Sequence, residues 1–170
     1  MSPGASRALT AGERARLSTG LIAALDRAGA SPLILSHAHP GARLAGLWRA
    51  QVPILVRGSC IYWPGAPAEL GGAGDRVLAI LQHELQHVLD YALGELTALG
   101  YLFRPRNWPY RYALTPASRW RDFGAEQRAS IAEHHWLIEH GRSDLVARDL
   151  AGARPDPELY RRIIPWADAG

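Results

Sequence analysis

Apolar residues recur along this chain at two spacings, and the spacing predicts its elements. Leu17, Leu21, Ile22 and Leu25 follow each other at helical intervals behind Thr10-Ala-Gly-Glu13, which has the S/T-x-x-E spacing of a capping box. An amphipathic helix over 13–28 is expected, ended by Gly29. The apolar run 31–36 reads as a short strand. Residues 53–63 are β-branched and aromatic, interrupted by Arg57-Gly58-Ser59, and read as a strand pair or a kinked strand closed by Pro64-Gly65. A loop rich in Gly, Ala and Pro follows to Gly74. Helical periodicity returns over about 75–99, with a weak point at Gly94, and again over 122–140, where Gly141 ends it. The stretch between these helices is aromatic and Pro-rich, and reads as an irregular excursion. One more short helix is expected after Ser143, with the ends 1–8 and about 155–170 loosely ordered.

The chain has 170 residues, the size of one domain with a real core, and no repeat or low-complexity linker divides it. Apolar runs fall far short of the ~20 residues that span a bilayer. No secretory signal is evident at the N-terminus, so a cytoplasmic location is the default, and export by a route without such a signal is equally consistent. Neither a membrane nor a nucleic-acid partner is expected. The net charge of +3 is modest, although all 19 basic residues are Arg. Cys60 is the single cysteine, which excludes an internal disulfide and a Cys-based zinc cluster. A bound metal must therefore use His and carboxylate.

The chemistry concentrates in Leu81-Gln-His83-Glu84-Leu-Gln-His87-Val88, which contains H-E-x-x-H. Two imidazoles four apart on a helix share a face and can converge on one cation, while Glu84 is turned ~100° from His83, towards the open side of the metal. With 7 His in the chain, chance matches to the pattern are expected at roughly one in a hundred. On a helical wheel Leu78, Leu81, Leu85, Val88, Leu89 and Ala92 form the core-facing arc. His83, Glu84, His87 and Tyr91 fall on the other side, away from the core.

Catalytic zinc takes three protein ligands. Downstream candidates for the third are Asp90, Glu95, Asp122, Glu126, Glu133, His134, His135 and His140. Glu126 is favoured, because it lies in the first turn of its helix, where the dipole favours an anion, and because Ala129 and Ser130 allow close helix approach. Glu133 or one of the histidines stays open as the alternative, and His134 and His135 otherwise read as a surface pair.

The chain resembles the gluzincin metallopeptidases, in which a second helix supplies a Glu ligand after the H-E-x-x-H helix. It is similar also to small bacterial zincin-like proteins labelled Vgr-related. The matching features are Leu9-Thr-Ala-Gly-Glu13, Val56-Arg-Gly-Ser-Cys-Ile-Tyr-Trp-Pro64, Leu81 to Val88, and Phe123-Gly-Ala-Glu-Gln-Arg-Ala-Ser-Ile131, in that order. The resemblance implies zinc (Zn2+) on His83, His87 and Glu126, Glu84 as general base, and association with a secretion or effector system. The expected fold is α+β: one mainly helical zincin-like domain over 1–170, with a small antiparallel sheet before the zinc helix.

The function expected is a zinc-dependent hydrolase, a metallopeptidase that uses zinc-bound water and Glu84 to cut an amide bond of a peptide or protein. A catalytically silent zinc-binding or effector-associated module is the alternative. A nucleic-acid binder through 101–121 is a second, since Tyr101 to Tyr112 interleaves five aromatics with three Arg. The same segment reads more simply as a wall or lid of the cleft. Residues 61–63 offer either a strand edge for a peptide or a plain core strand. Tyr91, Tyr110, Tyr112, Arg128 and His134 are candidates to stabilise an oxyanion, with none assigned.

Overall fold

The computed structural model describes residues 6–40, 53–150 and 155–167. It is an α+β arrangement, mainly helical, around one small sheet. No helix among the described residues is long and apolar enough to cross a membrane.

The sheet is built from β1 (Ser6–Ala8), β2 (Leu33–Leu35), β3 (Leu55–Arg57) and β4 (Cys60–Tyr62), in the order β1-β2-β4-β3. Its outer pairings are antiparallel, with Arg7 opposite Ile34 and Val56 opposite Ile61. The central pairing of β2 with β4 is parallel, with Ile34 opposite Ile61. The sheet is thus mixed where an antiparallel one was expected. The tight hairpin at Gly58-Ser59 reverses the chain between β3 and β4 and inserts β4 beside β2, so the two run the same way. Ile34 and Ile61, both fully buried, turn towards the helices.

The first helix of the sequence reading is two helices, α1 (Ala11–Arg16) and α2 (Thr19–Arg27). Leu17 has extended backbone and Ser18 is non-helical between them, and the Ser18 N–H faces Gln82 Oε1 at 3.4 Å. The Thr10–Glu13 capping box is present. Glu13 is fully buried, and it also accepts from Arg7 Nη1 and Nη2 and from the Leu70 N–H.

The long helix α3 (Asp75–Ala92) stops sooner than its periodicity suggests. Gly94 adopts φ 72°, and Glu95 N–H returns to the Asp90 carbonyl at 2.9 Å, which closes the helix in a left-handed cap. A short helix, α4 (Ala98–Phe103), follows behind a Thr97 cap. Next come α5 (Ala125–Glu139), α6 (Ser143–Asp149) and α7 (Pro157–Ile163).

α3 packs most extensively against α5, and α5 is covered in turn by α6 and α7. Leu81, Leu85, Val88 and Leu89 of α3 join Leu21, Leu25, Ile34, Ile61 and Ile131 in the main core. The ends expected to be loose form regular elements, and the C-terminal one joins this core. Ser6–Ala8 is a strand, and Tyr160, Ile163, Ile164 and Trp166 are buried. The reason is that these apolar side chains close the bottom of the α2–α3–α5 layer, which burial rewards. Residues 1–5 and 168–170, also expected to be loose, lie outside the described ones.

Candidate metal centre

His83, Glu84 and His87 project from the middle of α3, and Glu126 from the first turn of α5. The wheel placed the α3 motif away from the core, which suggests solvent exposure. All three residues are in fact buried, as is Glu126. α5 lies across this face, so α3 is enclosed on both sides along 81–90.

The start of α5 is set by a close backbone approach. At Gly124 a Cβ would lie 1.8 Å from the Arg106 carbonyl oxygen, so only glycine lets the chain pass there. Asn107 then accepts from the Ala125 N–H at 3.3 Å and donates to the Gly100 carbonyl at 3.1 Å, joining α4 to the head of α5. Glu126 follows immediately.

Glu126 Oε2 lies 3.2 Å from His83 Nε2 and 3.4 Å from His87 Nε2. One ligand atom from each of the three residues falls within 4.8 Å of the other two. Donor atoms around a tetrahedral zinc, with bonds of about 2.1 Å, stand about 3.4 Å apart. The spacing therefore fits a cation held between the three.

Two further side chains fix which atoms face that point. Glu133 Oε2 sits 3.1 Å from His83 Nδ1, which leaves Nε2 turned inward. The Tyr101 hydroxyl donates to Glu126 Oε1 at 2.7 Å, which leaves Oε2 turned inward. The Tyr110 ring stacks on His83, 6.1 Å between centroids and 20° between planes.

The electrostatics are those of a cation site. Burial opposes a charged His83, but Glu126 and Glu133 outweigh it and raise its pKa to about 10 when protons are the only cations present. Burial alone would raise the Glu126 pKa, yet hydrogen bonding to His83 and His87 brings it below the ordinary carboxylate range. Burial raises the Glu84 pKa, with Glu126 and Glu133 adding to the rise and the two histidines opposing it. Carboxylates outnumber imidazoles in this buried cluster, and His83, His87 and Glu126 could hold a metal ion there.

The remaining candidates lie elsewhere. Asp90 and Glu95 bind Arg128, and Asp122 caps its own short turn. His140 stacks on Trp136. His134 and His135, read as a surface pair, are both buried, because α6 and α7 cover the far side of α5. His134 contacts the Tyr112 hydroxyl and Asp149, and His135 packs against the Trp166 ring. Among the oxyanion candidates, Tyr110 lies against a ligand ring. Tyr112 is engaged by His134 and Tyr160, and Arg128 by Asp90. The half-buried Tyr91 feels the charge of Arg57 on β3. Residues 61–63 are no edge, since β4 is paired on both sides.

The roles of Tyr101 and Glu133 beside the ligands escaped the sequence reading. Glu133 follows Glu126 by seven residues, two turns along the same helix face, and that spacing was the available signal. Tyr101 lies in the segment read as a wall or lid of the cleft, but no spacing singled it out, and the turn at 104–107 brings it in. Comparison of the chain with protein-family models, with curated proteins and with solved structures finds no match.

Proposed function

We propose that this chain is a zinc-dependent hydrolase that cuts amide bonds in a peptide or protein. The observation that carries the reading is the convergence of Glu126 Oε2 on both imidazoles of the H-E-x-x-H helix. Two imidazoles and one carboxylate are the donor set of a catalytic rather than a structural zinc, and no thiolate competes. When bound, the cation supplies Lewis acidity, polarising a carbonyl and acidifying water.

The chain's own groups do the rest. Glu84 is buried beside the ligands, and its raised pKa makes it a better proton acceptor than an exposed carboxylate. It takes the proton of the attacking water and returns it to the leaving amine. Glu133 and Tyr101 hold the ligand atoms in place. Burial of the cluster by α5 and the 101–110 segment excludes bulk water and strengthens each of these interactions. A peptide substrate is favoured by β3, which packs against α3 and, among the described residues, pairs on one side only. An extended chain can add to that edge. Membership of the gluzincin or Vgr-related groups is part of the same proposal.

Zinc content and turnover on a mixed peptide pool test the reading together. Wild type should bind one zinc and cleave, Glu84→Gln should keep the zinc and lose cleavage, and Glu126→Ala should lose both. A wild type that takes up no zinc overturns the proposal. Zinc uptake without any turnover favours the silent module instead.

A further inference from the structure

The segment that walls the metal cluster with Tyr101 and Tyr110 has a second face, turned to solvent. On it Leu99 is 68% exposed, Phe103 77% and Trp108 50%, while Tyr110, stacked on His83, is still 59% exposed. Leu99 and Phe103 are four apart on α4 and so project side by side. Apart from Leu33, every exposed large apolar side chain among the described residues lies between residues 93 and 110. This concentration is not the scattered exposure normal for a protein surface.

Charge on the same stretch is one-sided. Between Leu96 and Arg121 there are five arginines and no Asp or Glu, in a chain whose net charge is only +3. Arg104, Arg106, Arg111, Arg119 and Arg121 are all exposed, and Arg111 also lines a cavity bordered by Asp149 and Asp156. Arg106 donates to the carbonyls of Arg121 and Phe123, which leaves its charge uncompensated.

We infer that this face docks on an anionic phospholipid surface. Leu99, Phe103 and Trp108 enter the boundary between headgroups and acyl chains, and the arginines meet the lipid phosphates. Aliphatic and aromatic tips with the exposed Arg104 and Arg106 between them in the chain, and no carboxylate between Leu96 and Arg121, suit that boundary. Single-stranded nucleic acid would stack on open ring faces, and gains nothing from Leu99. A bound peptide calls for a groove. Leu99, Phe103, Trp108 and Tyr110 line neither the cavity beside Tyr112 and Tyr160 nor the one beside Gln86 and Trp166; they project. Docking would bring the metal cleft to the membrane, and it does not depend on the hydrolase reading.

Co-sedimentation of the full chain with vesicles tests this. Binding is expected to vesicles of phosphatidylcholine with phosphatidylglycerol and not to phosphatidylcholine alone, and should weaken as salt rises. Arg104→Gln with Arg111→Gln should lower partitioning about 30-fold. Leu99→Ser with Phe103→Ser should abolish it. All four side chains are exposed, and a circular-dichroism melt verifies that each variant is folded; should one pair unfold, the other still gives the answer. Failure to bind anionic vesicles overturns the inference, as does equal binding to neutral ones or binding unchanged in a folded variant. Retention on a single-stranded oligonucleotide or on polyglutamate, with no vesicle binding, assigns the face to another partner and overturns it too.

Discussion

Arg128 donates to Asp90 Oδ2 through both Nε and Nη2, at 3.2 and 2.8 Å, and so ties the helix of His83 and His87 to the helix of Glu126. Asp90 stands three residues after His87 and Arg128 two after Glu126, so the bridge spans the helices within one turn of the candidate metal ligands. Gln86 donates to the other Asp90 oxygen at 2.8 Å and itself accepts from the Trp166 indole. The pair is buried and its remaining donors and acceptors are largely met, which is the condition under which a buried ion pair holds two elements in register.

Removing Arg128 leaves the Asp90 carboxylate buried without an ionic partner, whereas removing Asp90 still leaves Arg128 with Glu95. Arg128→Ala is expected to cost about 3–5 kcal/mol in urea unfolding of the metal-free chain, whereas Asp90→Leu combined with Arg128→Met costs less. Both should weaken zinc binding, because the bridge sets the spacing between α3 and α5.

Tyr101→Phe and Glu133→Gln remove the groups that orient Glu126 and His83 without touching a ligand atom. Each is expected to lower zinc affinity by about 10–100-fold, read by chelator competition, with little change in the far-ultraviolet spectrum. Unchanged affinity in both would assign these contacts to packing alone.

Gly124→Ala places a methyl group into the Arg106 carbonyl. The head of α5 must shift, at a cost of about 1–3 kcal/mol in a thermal melt. Glu126 shifts with it, so zinc affinity falls as well. An Ala variant as stable as wild type would show that the approach is looser than this geometry.

Glu13 gives a pH dependence away from the metal. Burial alone would raise its pKa, but hydrogen bonds from Arg7, Thr10 and Leu70 outweigh it and hold the carboxyl below its ordinary value of 4.5. A group depressed in the folded state contributes stability that is present above its unfolded pKa and is lost as pH falls through the folded one. The urea midpoint should therefore drop below about pH 4.5, and less steeply in Glu13→Gln. At neutral pH that variant should already be about 1–3 kcal/mol less stable.

Local rules read well here where one element carries the whole signal. The Thr10–Glu13 box, the strands at 33–35 and 55–62, the glycine stops at Gly29 and Gly141 and the H-E-x-x-H face of α3 each depend on neighbours within a few residues. Those features were legible because capping, turn conformation and helical periodicity act over a single turn or hairpin. Between Leu17 and Thr19 the same rules failed, since an unbroken apolar period hid a break made by packing against α3.

What the sequence determined by itself is therefore the helix with its two histidines and its carboxylate, and the second helix that offers Glu126. The tertiary structure alone decided that Glu126 Oε2 meets both imidazoles, that Glu133 and Tyr101 aim the ligands, that His134 and His135 are buried, and that β4 lies inside the sheet. The physical reason is one of range. A period fixes which residues share a face, but the partner of that face is chosen by packing between segments far apart in the chain, where total burial rather than spacing decides.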